Sequence, residues 1–227
     1  MRGFFITGTD TDVGKTWVTA GLLHVLNEQG LKTVAMKPVA SGSKRIDGQL
    51  RNADAECLMQ HMNAVAEYPE VNPYSFEPAI APHIAATQAG ENIELEKIQQ
   101  TAEHLARRAD VILVEGVGGW AVPLNETQGV ADLAVKLQLP VIMVVRIRLG
   151  CINHALLSAQ SIQASGLSIF GWVANMCDSL DSFAEENISA LQQRLDCPML
   201  ARLPLLDEFD IKKLSSYFDP ELLITKF

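Results

Sequence analysis

Phe4-Phe5-Ile6-Thr7-Gly8-Thr9-Asp10-Thr11-Asp12-Val13-Gly14-Lys15-Thr16 decides how the rest of the chain is read. A short apolar run enters a Gly- and Thr-rich loop that ends in Gly-Lys-Thr. Behind it, Trp17, Val18, Ala20, Leu22, Leu23, Val25 and Leu26 supply the apolar side of a helix. Strand, loop and helix in this order make a phosphate-binding P-loop. Successive backbone N–H groups and the helix N-terminus face the phosphates, Lys15 brings a point charge, and the Thr16 hydroxyl completes a Mg²⁺ shell. The usual G-x-x-x-x-G-K-[ST] spacing would put Gly at position 9, where this chain has Thr; Gly8 precedes it, so the loop is one residue longer. Gly-Lys-Thr can also open an ordinary helix, but the strand before it and the amphipathic helix after it favour a nucleotide.

The composition sets limits around that loop. With 227 residues, 48% of them hydrophobic, the chain can bury a full core as one domain. A net charge of −9 argues against general nucleic-acid or anionic-membrane binding, so a polyphosphate site must be a local pocket. Cys57, Cys151, Cys177 and Cys197 are scattered, without metal or C-x-x-C spacing, which suits reduced thiols in the cytoplasm. The N-terminus has no signal-peptide anatomy, and the longest apolar run, Pro140 to Val145, is too short to span a bilayer. A soluble, cytoplasmic protein is expected.

Downstream, Gly30 stops the first helix and Thr33 to Val39 reads as a strand, with Lys37 at its carboxyl end because Pro38 keeps it extended. Open parallel sheets bind ligands at such ends, although a surface lysine would also fit there. Ala40 to Lys44 reads as a polar loop, and Asn52 caps a helix through Leu58 and Met62 that carries Asp54 in its first turn. That acid could simply favour the helix dipole. The proline-rich stretch from Asn72 to His83 reads as an ordered loop, with His83 open to a structural or a catalytic role. A helix from Leu95 precedes Val111-Ile112-Leu113-Val114-Glu115, a doubly buried strand ending in the carboxylate that commonly partners a P-loop magnesium site. Gly116-Val117-Gly118-Gly119 then lets backbone pass close to a ligand. Helices around Val130–Leu137, Ile152–Ile162 and Ile188–Leu195 alternate with strands at 141–145, 169–175 and 198–204, and helical sequence follows to the C-terminus. The helix opened by Gly150 has free N–H groups that could take an anion. The expected architecture is one doubly wound, mostly parallel α/β domain over residues 1–227, of the P-loop NTPase type.

These residues resemble the dethiobiotin synthetase family over nearly the whole chain. The blocks that carry the resemblance are Gly8–Thr16, Lys37-Pro-Val-Ala-Ser-Gly42, Asn72-Pro-Tyr74, Pro82-His83, Glu115-Gly-Val-Gly-Gly-Trp120, Leu149-Gly-Cys-Ile-Asn-His154 and Gly171-Trp-Val-Ala-Asn175. The longer P-loop is this family's own form. The resemblance implies a homodimer that acts on 7,8-diaminononanoate, CO₂ (or bicarbonate) and MgATP in biotin biosynthesis. A carbamate and a carbamoyl-phosphate mixed anhydride would form on the way. It implies catalytic roles for Lys15, Lys37 and Thr11, and Mg²⁺ at Thr16, Asp54 and Glu115. Nucleotide contacts would come from Asp12, Val13, Gly14, Lys15, Thr16, Trp17, Asp54, Glu115, Gly116, Val117, Gly118, Asn175, Met176, Pro204, Leu205 and Leu206. The diamine would meet Asp12 and Ser41, with Leu149, Gly150, Cys151 and Asn153 reaching its carboxylate from the partner subunit. The two lysines are expected at neighbouring strand exits. Residue 12 is Asp where the family often has Glu, and Asp207 to Ile211 depart from its usual nucleotide-contacting pattern. Three rival readings share the P-loop. One is an ATPase switch of the chromosome-partitioning or metal-delivery kind, which usually carries a second lysine near the loop's start, where this chain has Gly8-Thr9-Asp10. The others are a regulatory module without catalysis and a related ligase with another diamine.

Overall fold

The N-terminal apolar run is an interior strand of a six-stranded parallel sheet in the computed structural model, which describes residues 1–177 and 183–224. β1 (Gly3–Gly8) leads through the P-loop into α1 (Lys15–Glu28), and Gly30, at φ 78°, turns the chain toward β2 (Thr33–Met36). A small outlying region follows: β3 (Val39–Ala40), the hairpin β4 (Lys44–Ile46) and β5 (Gln49–Arg51), α2 (Ala53–His61), α3 (Tyr68–Val71), and β6 (Tyr74–Ser75) paired with β3. Next come α4 (Pro82–Ala89), α5 (Leu95–Ala106), β7 (Val111–Glu115), α6 (Val130–Leu137) and β8 (Val141–Arg146). The chain continues with α7 (Cys151–Ala164), β9 (Ile169–Asn175), α8 (Ala184–Gln192), β10 (Met199–Leu203), α9 (Ile211–Ser215) and α10 (Pro220–Ile224).

The strand order is β10-β9-β8-β1-β7-β2, every pair parallel. Strand periodicity divides the core into two. Phe4 and Ile6 face α1, α9 and α10 together with Leu22, Leu26, Leu214 and Leu223, whereas Phe5, Ile112 and Val114 face α5 to α8 with Ile98, Leu133, Ile162 and Leu191. Both faces are therefore covered, which is why these strands read as continuous apolar runs. The chain leaves β1 toward β2 but leaves β8 toward β9 on the opposite side. Ligands of such sheets bind at the carboxyl ends of the strands, and the cavity described below lies over those of β1, β7 and β2.

Local structure differs from expectation in four places. The strand expected over residues 33–39 stops at Met36, because Lys37 donates its N–H to Val71 O at 2.8 Å and Pro38 has none to give. Val39 and Ala40 join β6 instead. The hairpin of β4 and β5 was not legible, since both strands are short, charged and largely exposed. Within the stretch expected to be a loop, β6 forms and Pro82 starts α4 at the first helical position, where its fixed φ is favourable. The expected C-terminal helix is split into α9 and α10, and residues 225–227 lie outside the described residues.

Candidate active site

The P-loop is held in shape by backbone that only certain residues tolerate. Gly14 caps α1 at φ 91°, and a Cβ there would lie 2.1 Å from Asn175 Nδ2. Asn175, at the exit of β9, donates that amide to Val13 O at 2.9 Å, so the loop is tied to the far half of the sheet. Asp12 also takes a left-handed conformation, at φ 55°. Lys15 is buried, and its Nζ donates to Asp10 O at 2.9 Å within the same loop. Burial and the nearby Lys37 ammonium lower its pKa to about 8, against the pull of Glu115, Asp54 and Asp12. The Asp10 carboxylate accepts from Thr11 N–H and pairs with Arg148 at 3.1 Å.

The second lysine enters from β2. Lys37 is 4% exposed, and its Nζ lies 2.5 Å from Glu115 Oε1 and 3.0 Å from Asp54 Oδ2. Burial pulls its pKa down, but the carboxylates of Glu115 and Asp54 outweigh that and hold it above the ordinary lysine value. Asp54 shows the mirror image. Burial pushes its carboxyl up, but Lys37, with help from Thr16 and Lys15, brings it below the ordinary range. Asn52 holds the helix that carries Asp54, its side chain accepting from the N–H groups of Asp54 and Ala55. Asn72 Nδ2 donates to Lys37 O at 2.7 Å and so fixes the lysine's backbone.

Contrary to expectation, the two lysines do not leave from neighbouring strands. β7 lies between β1 and β2, because the crossover through α1 skips one sheet position that the chain fills later. Glu115, fully buried at the exit of β7, therefore stands between the cations. Thr16 Oγ1 donates to Glu115 Oε1 at 2.9 Å.

A cavity of about 870 Å³ gathers Thr11, Asp12, Gly14, Lys15, Thr16, Trp17, Lys37, Ser41, Asp54, Glu115, Val117 and Gly118. Sequence reasoning missed its apolar wall of Ala40, Ala79, Ile80, Ala81, Pro82 and Val122. The one signal for that wall was the apolar run leading into Pro82-His83. Other expected residues lie elsewhere. Val13 is buried beneath the loop, and Gly116 contributes its carbonyl near Lys37 Nζ at 3.4 Å. Asn175, Met176, Pro204, Leu205 and Leu206 stand at the exits of β9 and β10, where Met176 N–H donates to Leu203 O at 2.9 Å. Leu149, Gly150 and Asn153 are exposed at the start of α7, outside this cavity, and the Cys151 side chain is packed into the core. His83 lines a second cavity, beside Glu91 and Asn125.

Thr16, Asp54 and Glu115 suit Mg²⁺. Glu115 Oε2 is buried without a hydrogen-bond partner, an orphan acceptor that a cation would satisfy. Among the described residues no group of three His, Cys, Asp or Glu side chains is placed to hold a metal alone. Among the described residues, no helix is long and apolar enough to cross a membrane.

The AAA domain family model matches residues 2–212. The ATP-dependent dethiobiotin synthetase BioD of Pseudomonas aeruginosa (strain UCBPP-PA14) is 48% identical over 220 residues, covering 96% of each chain. Its counterpart in Cellvibrio japonicus is 46% identical over 218 residues, again covering 96% of each. Among solved structures, the Aquifex aeolicus MinC:MinD cell division complex aligns at TM-score 0.59 with 17% identity, over 100% of this chain and 90% of that one. The Pyrococcus horikoshii septum site-determining protein MinD, complexed with Mg-ADP, aligns at TM-score 0.53 with 17% identity, over 96% and 87%. At such identity these structures establish the fold alone, a parallel sheet with helices on both faces.

Proposed function

The chain belongs to the ATP-dependent dethiobiotin synthetase family, and we propose that it uses MgATP to close 7,8-diaminononanoate and CO₂ into the cyclic urea of dethiobiotin, in biotin biosynthesis. One amine captures CO₂ as a carbamate. A carbamate oxygen then attacks the γ-phosphorus as ADP leaves, giving a carbamoyl-phosphate mixed anhydride. The second amine attacks the activated carbonyl and expels phosphate. Negative charge collects near the γ-phosphate in each step, so preorganised cations matter more than a nucleophilic side chain.

The observation that carries this reading is a second buried lysine, Lys37, facing the same cavity as the P-loop lysine. Lys15 would hold the β- and γ-phosphates, and Lys37 would meet the carbamate and the phosphoryl group in transfer. Thr16, Asp54 and Glu115 would hold Mg²⁺, which when bound neutralises charge on the β- and γ-phosphate oxygens. Thr11, Asp12 and Ser41 would orient the amines, so that proximity replaces a bimolecular encounter. Ile80 and Val122 give the substrate's aliphatic chain an apolar wall. The remaining nucleotide contacts, from Val13 and Gly14, Trp17, Gly116 to Gly118, Asn175, Met176 and Pro204 to Leu206, would hold the nucleoside and its phosphates.

The substrate's carboxylate would be taken by Leu149 to Asn153 of a second copy. Leu149, 95% exposed just before α7, and Leu157, 57% exposed within it, are apolar side chains that a second copy would cover. The whole chain would act as one domain in the cytoplasm. Purified protein should release phosphate from MgATP only when diaminononanoate and bicarbonate are both present, with the cyclic urea detected by mass. Lys37→Gln should abolish that turnover while MgADP still binds. Equal phosphate release without the diamine would instead support an ATPase switch.

A further inference from the structure

The aromatic residue directly after the phosphate-binding threonine has a neighbour that the reaction does not require. Trp17 sits half-buried in the first turn of α1 and lines the cavity. Its ring meets Phe209 at 5.2 Å between centroids and 70° between planes, an edge-on contact. Phe209 is in turn backed by the His61 ring at 5.3 Å. Phe209 belongs to the segment between β10 and α9, and both aromatics pack on the core beneath α1. Trp120 and Trp172, the other tryptophans, are buried at 3% and 0% exposure.

We infer that Trp17, held edge-on by Phe209, is the stacking wall for the base of the bound nucleotide. This rests on the nucleotide reading above and says which residues set base preference. With the terminal phosphates at Lys15 and Thr16, a nucleoside extending along the first turn of α1 would meet residue 17 next, and Trp17 lines the same cavity. An indole has few rotamers, and a partner ring against its edge fixes the plane it offers. Such a plane attracts any heteroaromatic ring, more strongly the larger the ring, so it favours purines over pyrimidines without reading their edges. The segment from Asp207 to Ile211 thereby gains a definite role, since its Phe209 positions Trp17.

The test compares MgADP with inorganic tripolyphosphate, which has no base, on the parent chain and on Trp17→Leu, Trp17→Phe and Phe209→Leu. Trp17→Leu should weaken MgADP about tenfold, Phe209→Leu by a smaller factor, and Trp17→Phe least, while tripolyphosphate binds all four proteins alike. MgADP should also change the tryptophan fluorescence of the parent protein, tripolyphosphate should not, and Trp17→Leu should lose the response. Unchanged MgADP affinity in Trp17→Leu, or an equal loss of tripolyphosphate, would overturn the wall. A parent protein that binds neither probe would overturn the nucleotide reading, and the wall with it.

Discussion

Replacing Lys37 with Met should unfold this protein more readily than most single changes, and the reason lies in three side chains. Lys37 is 4% exposed and Glu115 is fully buried, and their charged atoms lie 2.5 Å apart. Met fills a similar volume but leaves the Glu115 carboxylate without its cation. Removing one partner of a buried pair costs about 3–5 kcal/mol. Asp54, 3.0 Å from the same ammonium, adds less, because its side chain is 45% exposed and can turn to water. The expected loss is therefore near the lower end, about 3 kcal/mol, against a total stability of roughly 5–15 kcal/mol. For a chain of this size that corresponds to a fall in Tm of about 6–12 °C. Thermal and urea unfolding of the ligand-free protein would measure it. Adding Glu115→Leu to Lys37→Met should recover most of the loss, because it removes the buried carboxylate that the single variant leaves without its nearest cation. A Tm within a degree or two of the parent for Lys37→Met, or a double variant no better than the single one, would refute the account.

Lys15 should make nucleotide binding depend on pH in one direction. With its pKa near 8, the ammonium that phosphate needs is present below that pH, so the MgADP affinity should hold level up to about pH 8. Above it the dissociation constant should rise about tenfold per unit, and a calorimetric titration that stays flat to high pH would contradict this. Gly14→Ala should lose about 1–3 kcal/mol through its left-handed φ of 91°, and should weaken MgADP as well through the contact with Asn175. Adding Asn175→Ala should relieve the contact but not the dihedral strain, so thermal melts should show partial recovery only.

The sequence by itself determined the elements and the order in which they come. Gly8 to Thr16 could be read as a P-loop because strand, glycine and helix positions each have a local physical reason. The run ending in Glu115 announced a strand buried on both faces, and Asn52 announced the helix cap that holds Asp54. Weakly apolar pieces stayed hidden: the exposed hairpin of β4 and β5, and the break at Pro38 that hands Val39 to another sheet. Only the tertiary structure decided how the site is arranged. Strand order is a long-range property that no local pattern encodes, so the placement of β7 between β1 and β2, and hence of Glu115 between Lys15 and Lys37, could not be read in advance. The same holds for the apolar wall around Ile80 and for Phe209 against Trp17. Charges that sit apart along the chain interact strongly only when the fold removes the water between them: burial and the Lys37 ammonium lower the Lys15 pKa, whereas the Glu115 and Asp54 carboxylates outweigh burial and raise that of Lys37.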